Sequence, residues 1–135
     1  KAVKHIYSTS LTISVNGERD KSERGMGYLI SALDANLNNL PKRSIFIPIE
    51  DFDQYLLENF QSVFPLYQPQ WDKIEPHFNG TTSNLFDLTT CQKIITQLRQ
   101  RTFTDEKVKI FIEKIITDVE EKLSTCTYIE VYGNI

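Results

Sequence analysis

The chain has 135 residues and 15.7 kDa, with 15 Lys+Arg against 18 Asp+Glu, a formal net charge of -3 and a pI near 5.4. A single domain spanning residues 1–135 is expected, because compact domains run to roughly 100–150 residues. Apolar content of 40% with 5 Gly and 5 Pro excludes collagenous, linker-like and repeat-array classes.

No apolar run approaches the ~18–20 residues of a membrane span, and Lys1 to Ser10 lacks the n-region and h-region of a secretory signal, so a cytoplasmic location is expected. Cys91 and Cys126 lie far apart with no CxxC pairing. That spacing signals neither a disulfide framework nor a zinc site, and two reduced, half-buried thiols are expected. The acidic balance disfavours nucleic acid as a direct partner, since phosphate binding relies on surplus Lys and Arg.

In chain order, Tyr7, Thr9, Leu11, Ile13 and Val15 alternate with Ser8, Ser10, Thr12 and Ser14, the period of a half-buried strand. Asn16-Gly17 supplies a turn, and the charged run Glu18 to Arg24 reads as an exposed loop. Leu29, Ile30, Leu33, Leu37 and Leu40 recur at helical spacing before Pro41, predicting a helix over Gly27 to Asn39. Ser44 to Ile49 reads as a short strand that lies at an edge or ends at Pro48. A short acidic helix follows, with Glu50, Asp51 and Asp53 at its start and Phe52, Leu56, Phe60 and Val63 on one face.

Pro65, Pro69, Pro76 and Asn79-Gly80 break any period and predict a long ordered loop to Asn84. Thr89 or Thr90 can cap a helix carrying Cys91, Ile94, Ile95 and Leu98. Thr104 can cap the longest helix, whose apolar stripe is Val108, Phe111, Ile112, Ile115, Val119 and Leu123, with Lys122 among the charged residues mostly off it. Cys126 to Tyr132 alternates as a closing strand. The order predicts an α+β fold: one small, mostly antiparallel sheet of N-terminal, central and C-terminal strands packed against about four helices.

The net charge conceals an asymmetry. Residues 1–43 carry seven bases and four acids (+3), residues 44–88 one base and seven acids (-6), and residues 89–135 seven of each. The acidic middle also holds nine of the fifteen aromatic residues, from Phe46 to Phe86 and including Trp71.

Catalytic patterns are sparse. Nucleophilic catalysis needs a base beside Ser or Cys, and His5 and His77 are the two imidazoles. Trp71, Asp72, Glu75 and His77 share one loop, in spacing that matches no dedicated ligand motif. Gly25-Met26-Gly27 lacks the third Gly or GK[ST] of a phosphate loop, and Asn79-Gly80-Thr81 matches a glycosylation sequon that reads here as a turn. Paired carboxylates such as a glycosidase uses are available at Glu50, Asp51 and Asp53, where capping and solvation account for them better. Lys42-Arg43 and Arg99 to Arg101 lack aromatic interleaving for nucleic acid. No catalytic residue, metal or cofactor is therefore assigned.

The last third, TDEKVKIFIEKIITDVEEKLS followed by CTYIEVYGNI, is a charged amphipathic helix leading into a terminal strand that closes in Gly133-Asn134. With the small acidic domain, it resembles bacterial immunity proteins encoded beside contact-dependent growth inhibition and related polymorphic toxins. The resemblance covers about a third of the chain and transfers no functional residue. It implies a non-enzymatic antitoxin that neutralises one cognate toxin, often a nuclease domain, by tight binding over or beside the active site. The modest net charge departs from a DNA mimic, which is more acidic.

The acidic, aromatic segment then becomes the expected partner-binding face for a basic toxin domain: Glu50, Asp51, Asp53, Glu58, Tyr67, Trp71, Asp72 and Glu75. Carboxylates steer a basic partner, and Tyr and Trp supply interface anchors. Two alternatives stand beside it. One is a small hydrolase or transferase using the loop around His77; the other is an adaptor that pairs through Ser44 to Ile49 or the terminal strand.

Overall fold

The computed structural model describes residues 10–19 and 25–134. Tyr7 to Thr9 of the expected first strand, His5, and Asp20 to Arg24 of the expected loop lie outside the described residues. The elements are β1 (Leu11–Ser14), β2 (Gly17–Arg19), β3 (Gly27–Leu33), β4 (Ile45–Pro48), α1 (Ile49–Tyr55), α2 (Leu57–Gln61), β5 (Leu66–Gln68), β6 (Lys73–Glu75), β7 (Ser83–Asp87), α3 (Leu88–Gln100), α4 (Glu106–Leu123) and β8 (Tyr128–Asn134). Six strands form one sheet in the order β2-β1-β4-β3-β8-β7, antiparallel except for the β1–β4 pair, and β5 and β6 form a separate hairpin. This is an α+β fold with four helices among the described residues.

Alternate residues on one sheet face, Tyr28 and Ile30 on β3, Ile45 and Ile47 on β4, Ile129 and Val131 on β8, join Phe52, Leu56, Ile94 and Ile115 from the helices in one core. On the opposite face Leu29, Ser31 and Leu33 of β3, Phe46 of β4 and Glu130 of β8 are buried as well. Ser31 and Ser44 share a hydrogen bond at 2.7 Å there, and Ser83 donates to Glu130 at 2.7 Å. These two side-chain pairs offset each other's desolvation, whereas the buried hydroxyls of Ser10 and Thr12 on and beside β1 have no hydrogen-bond partner among the described residues.

Covering both faces explains the main departure from the expected elements. The helix expected over Gly27 to Asn39 is instead β3 followed by a turn, with all seven strand residues buried. A central strand covered on both sides loses its alternation, and its leucines then fit a helical period equally well. The chain leaves the strand at Asp34, whose carboxylate accepts from the amides of Asn36 and Asn38, both at 2.9 Å, while Leu37 takes φ 66. Such Asx bonding competes with a helix.

Three further expectations are corrected. Glu18 and Arg19, expected to open the exposed loop, belong instead to strand β2, paired along β1. Pro65 to Asn84 is not one loop: it contains β5 and β6, and Ser83 and Asn84 open β7. Its prolines fall between these short strands, where no ladder amide is lost. The caps are Asp87, accepting from Thr90 N at 2.8 Å, and Asp105, accepting from Lys107 N at 2.9 Å, in place of the threonines.

Edge positions also differ. β4 lies between β1 and β3, and β8 between β3 and β7, so neither strand proposed for adaptor pairing has a free edge. Of the two readings of Pro48, the second holds: it ends β4 and opens α1. On α4 the expected apolar stripe is buried from Val108 to Val119 and Leu123 is half-buried, but Lys122 is buried with it, its ammonium held by Asp118 at 2.6 Å.

Candidate functional site

The acidic helix is built on aromatic stacking. Phe52 of α1 lies on the Tyr28 ring with centroids 4.0 Å apart, and Phe78 stacks on Phe52 and lies tilted against Tyr28, at 5.7 Å from each. Such contacts fix the rotation of α1, which turns Glu50 and Asp53 to solvent; Glu58 on α2 is exposed too. Asp51 does not join them. Half-buried, it accepts from the Val15 amide at 3.1 Å and closes the end of β1. Asp53 sits near Tyr28: burial, then the Asp53 charge, pushes the phenol up to about 12, and burial raises the Asp53 carboxyl.

Tyr67, Trp71, Asp72 and Glu75 come together on the β5–β6 hairpin. Tyr67 stands opposite Ile74 in register, and Tyr67, Trp71 and Ile74 are 51%, 45% and 65% exposed. The Tyr67 hydroxyl donates to Asp72 Oδ1 at 2.6 Å across a turn in which Asp72 takes φ 50, a left-handed conformation that Asp tolerates. That bond, first among its causes, raises the Tyr67 phenol. Glu75 is half-buried opposite Leu66. Beneath the hairpin, Gln68 is 1% exposed and its amide bonds both ways with the Leu85 backbone of β7, at 2.8 and 3.0 Å.

The eight expected residues thus divide. Glu50, Asp53 and Glu58 form a solvent-facing acidic row on α1 and α2, Asp51 turns inward, and the other four belong to the hairpin at the β7 side. Of the nine aromatic residues in this segment, Phe46, Phe52, Phe60 and Phe86 are buried, and Tyr55, Phe64 and Phe78 pack against the core. Tyr67 and Trp71 alone among the nine are exposed. The aromatic density is therefore mostly core, and the surface it leaves is narrower than the composition implies. Ile74 was missed by the sequence reading; a single apolar residue between Lys73 and Glu75 was the available signal.

The hydrolase alternative gains little geometry. His77 is exposed and hydrogen-bonds to neither Asp72 nor Glu75. Gly25-Met26-Gly27 leads into β3 rather than into a helix, and a side chain at Gly27 would collide with the Ile47 carbonyl and the Phe46 ring. Cys91 is buried with its thiol against the Phe86 carbonyl at 3.7 Å, and burial pushes it far above the usual thiol range; burial also raises Cys126. Arg101 is occupied within the fold, donating to Tyr55 O and Asn59 Oδ1. Among the described residues, no cluster of three or more His, Cys, Asp or Glu is placed to hold a metal ion, and no helix is long and apolar enough to cross a membrane.

A groove of about 430 Å³ runs between β1 and the outer side of α4, over Leu11, Ile13 and Ile110. None of the eight expected residues lines it. Comparison with family models, with curated proteins and with solved structures gives no match to this chain.

Proposed function

We propose that the chain is an immunity-type protein that binds a basic toxin domain, of the nuclease class that the resemblance implies, and covers its active or substrate-binding surface. The observation that carries this reading is the exposure of Tyr67, Trp71 and Ile74 on a hairpin clasped by the Tyr67–Asp72 bond. Exposed Trp and Tyr held in place before binding are the residue types that anchor interfaces, and a prepaid geometry lowers the ordering cost.

Magnitudes assign the two surfaces different roles. A surface charge pair at 4 Å contributes only about 1 kcal/mol in water, while a buried aromatic anchor contributes about 2 kcal/mol or more. The hairpin would therefore set affinity, and Glu50, Asp53, Glu58 and Asp72 would set the rate of encounter with a basic surface.

Co-purification with the protein encoded immediately upstream, followed by calorimetry, tests the reading. Trp71→Ala should weaken binding about 30-fold, the equivalent of about 2 kcal/mol. Asp53→Lys with Asp72→Lys should slow association and flatten its salt dependence. Full affinity in both variants would remove this surface from the interface.

A further inference from the structure

β7 is an outer strand of the sheet, bonded to β8 alone among the six. The Thr82 carbonyl accepts from Gly133 N at 3.0 Å, so even-numbered residues here direct their backbone groups to β8. Odd-numbered Ser83 and Leu85 direct theirs outward, because a strand alternates its hydrogen-bonding sides. An exposed row of that kind is a template for another strand.

The structure fills the row with side chains. Leu85 N donates to Gln68 Oε1 at 2.8 Å and Gln68 Nε2 donates to Leu85 O at 3.0 Å. These are the two bonds that a facing residue exchanges in an antiparallel hydrogen-bonded pair, supplied here by one primary amide. Gln70 Nε2 extends the cover to Ser83 O at 3.1 Å, but Gln70 Oε1 is buried with no partner. The cover is thus complete at Leu85 and half-made at Ser83.

We infer that Gln68 blocks the β7 edge, and that once its amide is withdrawn β7 pairs antiparallel with β7 of a second copy of this chain, centred on Leu85. The strand is self-complementary in that register. A two-fold axis through Leu85 sets Ser83 opposite Asp87 and Asn84 opposite Phe86, so no like charges meet. Edge pairing, which β4 and β8 cannot offer, is thereby held off at β7 by Gln68, with Gln70 beside it.

Sedimentation velocity of the full chain over a concentration series tests this, with amide hydrogen exchange at Leu85 as the site-specific readout. Gln68→Ala/Gln70→Ala should self-associate at least tenfold more tightly than the unsubstituted chain, with Leu85 protection rising with concentration. Gln68→Asn, which keeps an amide but shortens its reach by one carbon, should act in the same direction. Variants that sediment like the unsubstituted chain while Leu85 exchanges freely would overturn the inference, as would association that leaves Leu85 unprotected. Should both variants lose their circular dichroism, the unsubstituted chain in sub-denaturing urea supplies the arm: a dimer with a protected Leu85 amide supports the inference, and no dimer before unfolding overturns it.

Discussion

The Tyr67 hydroxyl donates to Asp72 Oδ1 at 2.6 Å, tying the first strand of the β5–β6 hairpin to the turn that carries Trp71. Trp71 is the single tryptophan of the chain and is 45% exposed, so its fluorescence reports on this hairpin alone. Its emission should be that of a water-exposed indole and should be quenched readily by acrylamide. Tyr67→Phe removes the clasp while keeping the ring, and should lower the steady-state anisotropy of Trp71 with far-ultraviolet circular dichroism unchanged. A shielded, blue-shifted indole, or an anisotropy indifferent to Tyr67→Phe, would contradict the clasped geometry.

How far the sequence was legible depends on what each segment packs against. α4 has one solvated face, so its charges and apolar residues separate at helical spacing and the helix is readable from Val108 to Leu123. β3 has no solvated face, and Leu29, Ile30 and Leu33 fit a helix as well as a strand until the Asx turn at Asp34 is known. β7 is obscured differently: Asn84 reads as loop chemistry, yet its amide is buried and donates to the carbonyls of Asn79 and Val131. The acidic face was legible as composition but not as geometry. Alternation cannot reveal that Asp51 would find the Val15 amide thirty-six residues away, or that Phe78 would fold back onto Phe52.

Asp51 and Asp53 therefore separate under substitution. Asp51→Ala leaves the Val15 amide without its half-buried acceptor and should cost about 1–3 kcal/mol of stability. Asp53→Ala removes an exposed carboxylate from the middle of α1 and should change stability by no more than about 0.5 kcal/mol. Urea denaturation of the two variants checks the order. Equal losses would mean that Asp51 belongs to the solvated row with Asp53.

Lys122 and Asp118 form the buried ion pair of α4, with the lysine side chain 3% exposed and the carboxylate 20%. Burial outweighs the attraction of Lys122 and raises the Asp118 carboxyl. The two charges should not be equally costly to strand. Asp118→Asn strands a fully buried ammonium and should cost about 3 kcal/mol, whereas Lys122→Met leaves a carboxylate that keeps 20% exposure and should cost less. Thermal denaturation of the two variants at neutral pH measures the difference; a larger loss in Lys122→Met would contradict it.

Tyr28 gives the fold an alkaline limit whose sign follows from its burial. Its phenol is raised from an ordinary 10.0 to about 12, by burial first and by Asp53 second. A raised folded value means that the unfolded chain releases this proton earlier, so the stabilisation is fully present below pH 10 and is lost as pH rises towards 12. Two pH units correspond to a loss of up to about 3 kcal/mol. Tyr28→Phe should flatten the fall in urea stability between pH 9 and 11.5 relative to the unsubstituted chain, after lysine titration common to both is subtracted. Asp53→Asn should shift the onset of tyrosinate absorbance for Tyr28 to lower pH, because the carboxylate that opposes a second negative charge is gone. Parallel stability profiles for Tyr28→Phe and the unsubstituted chain would place the phenol in water and remove Asp53 from its surroundings.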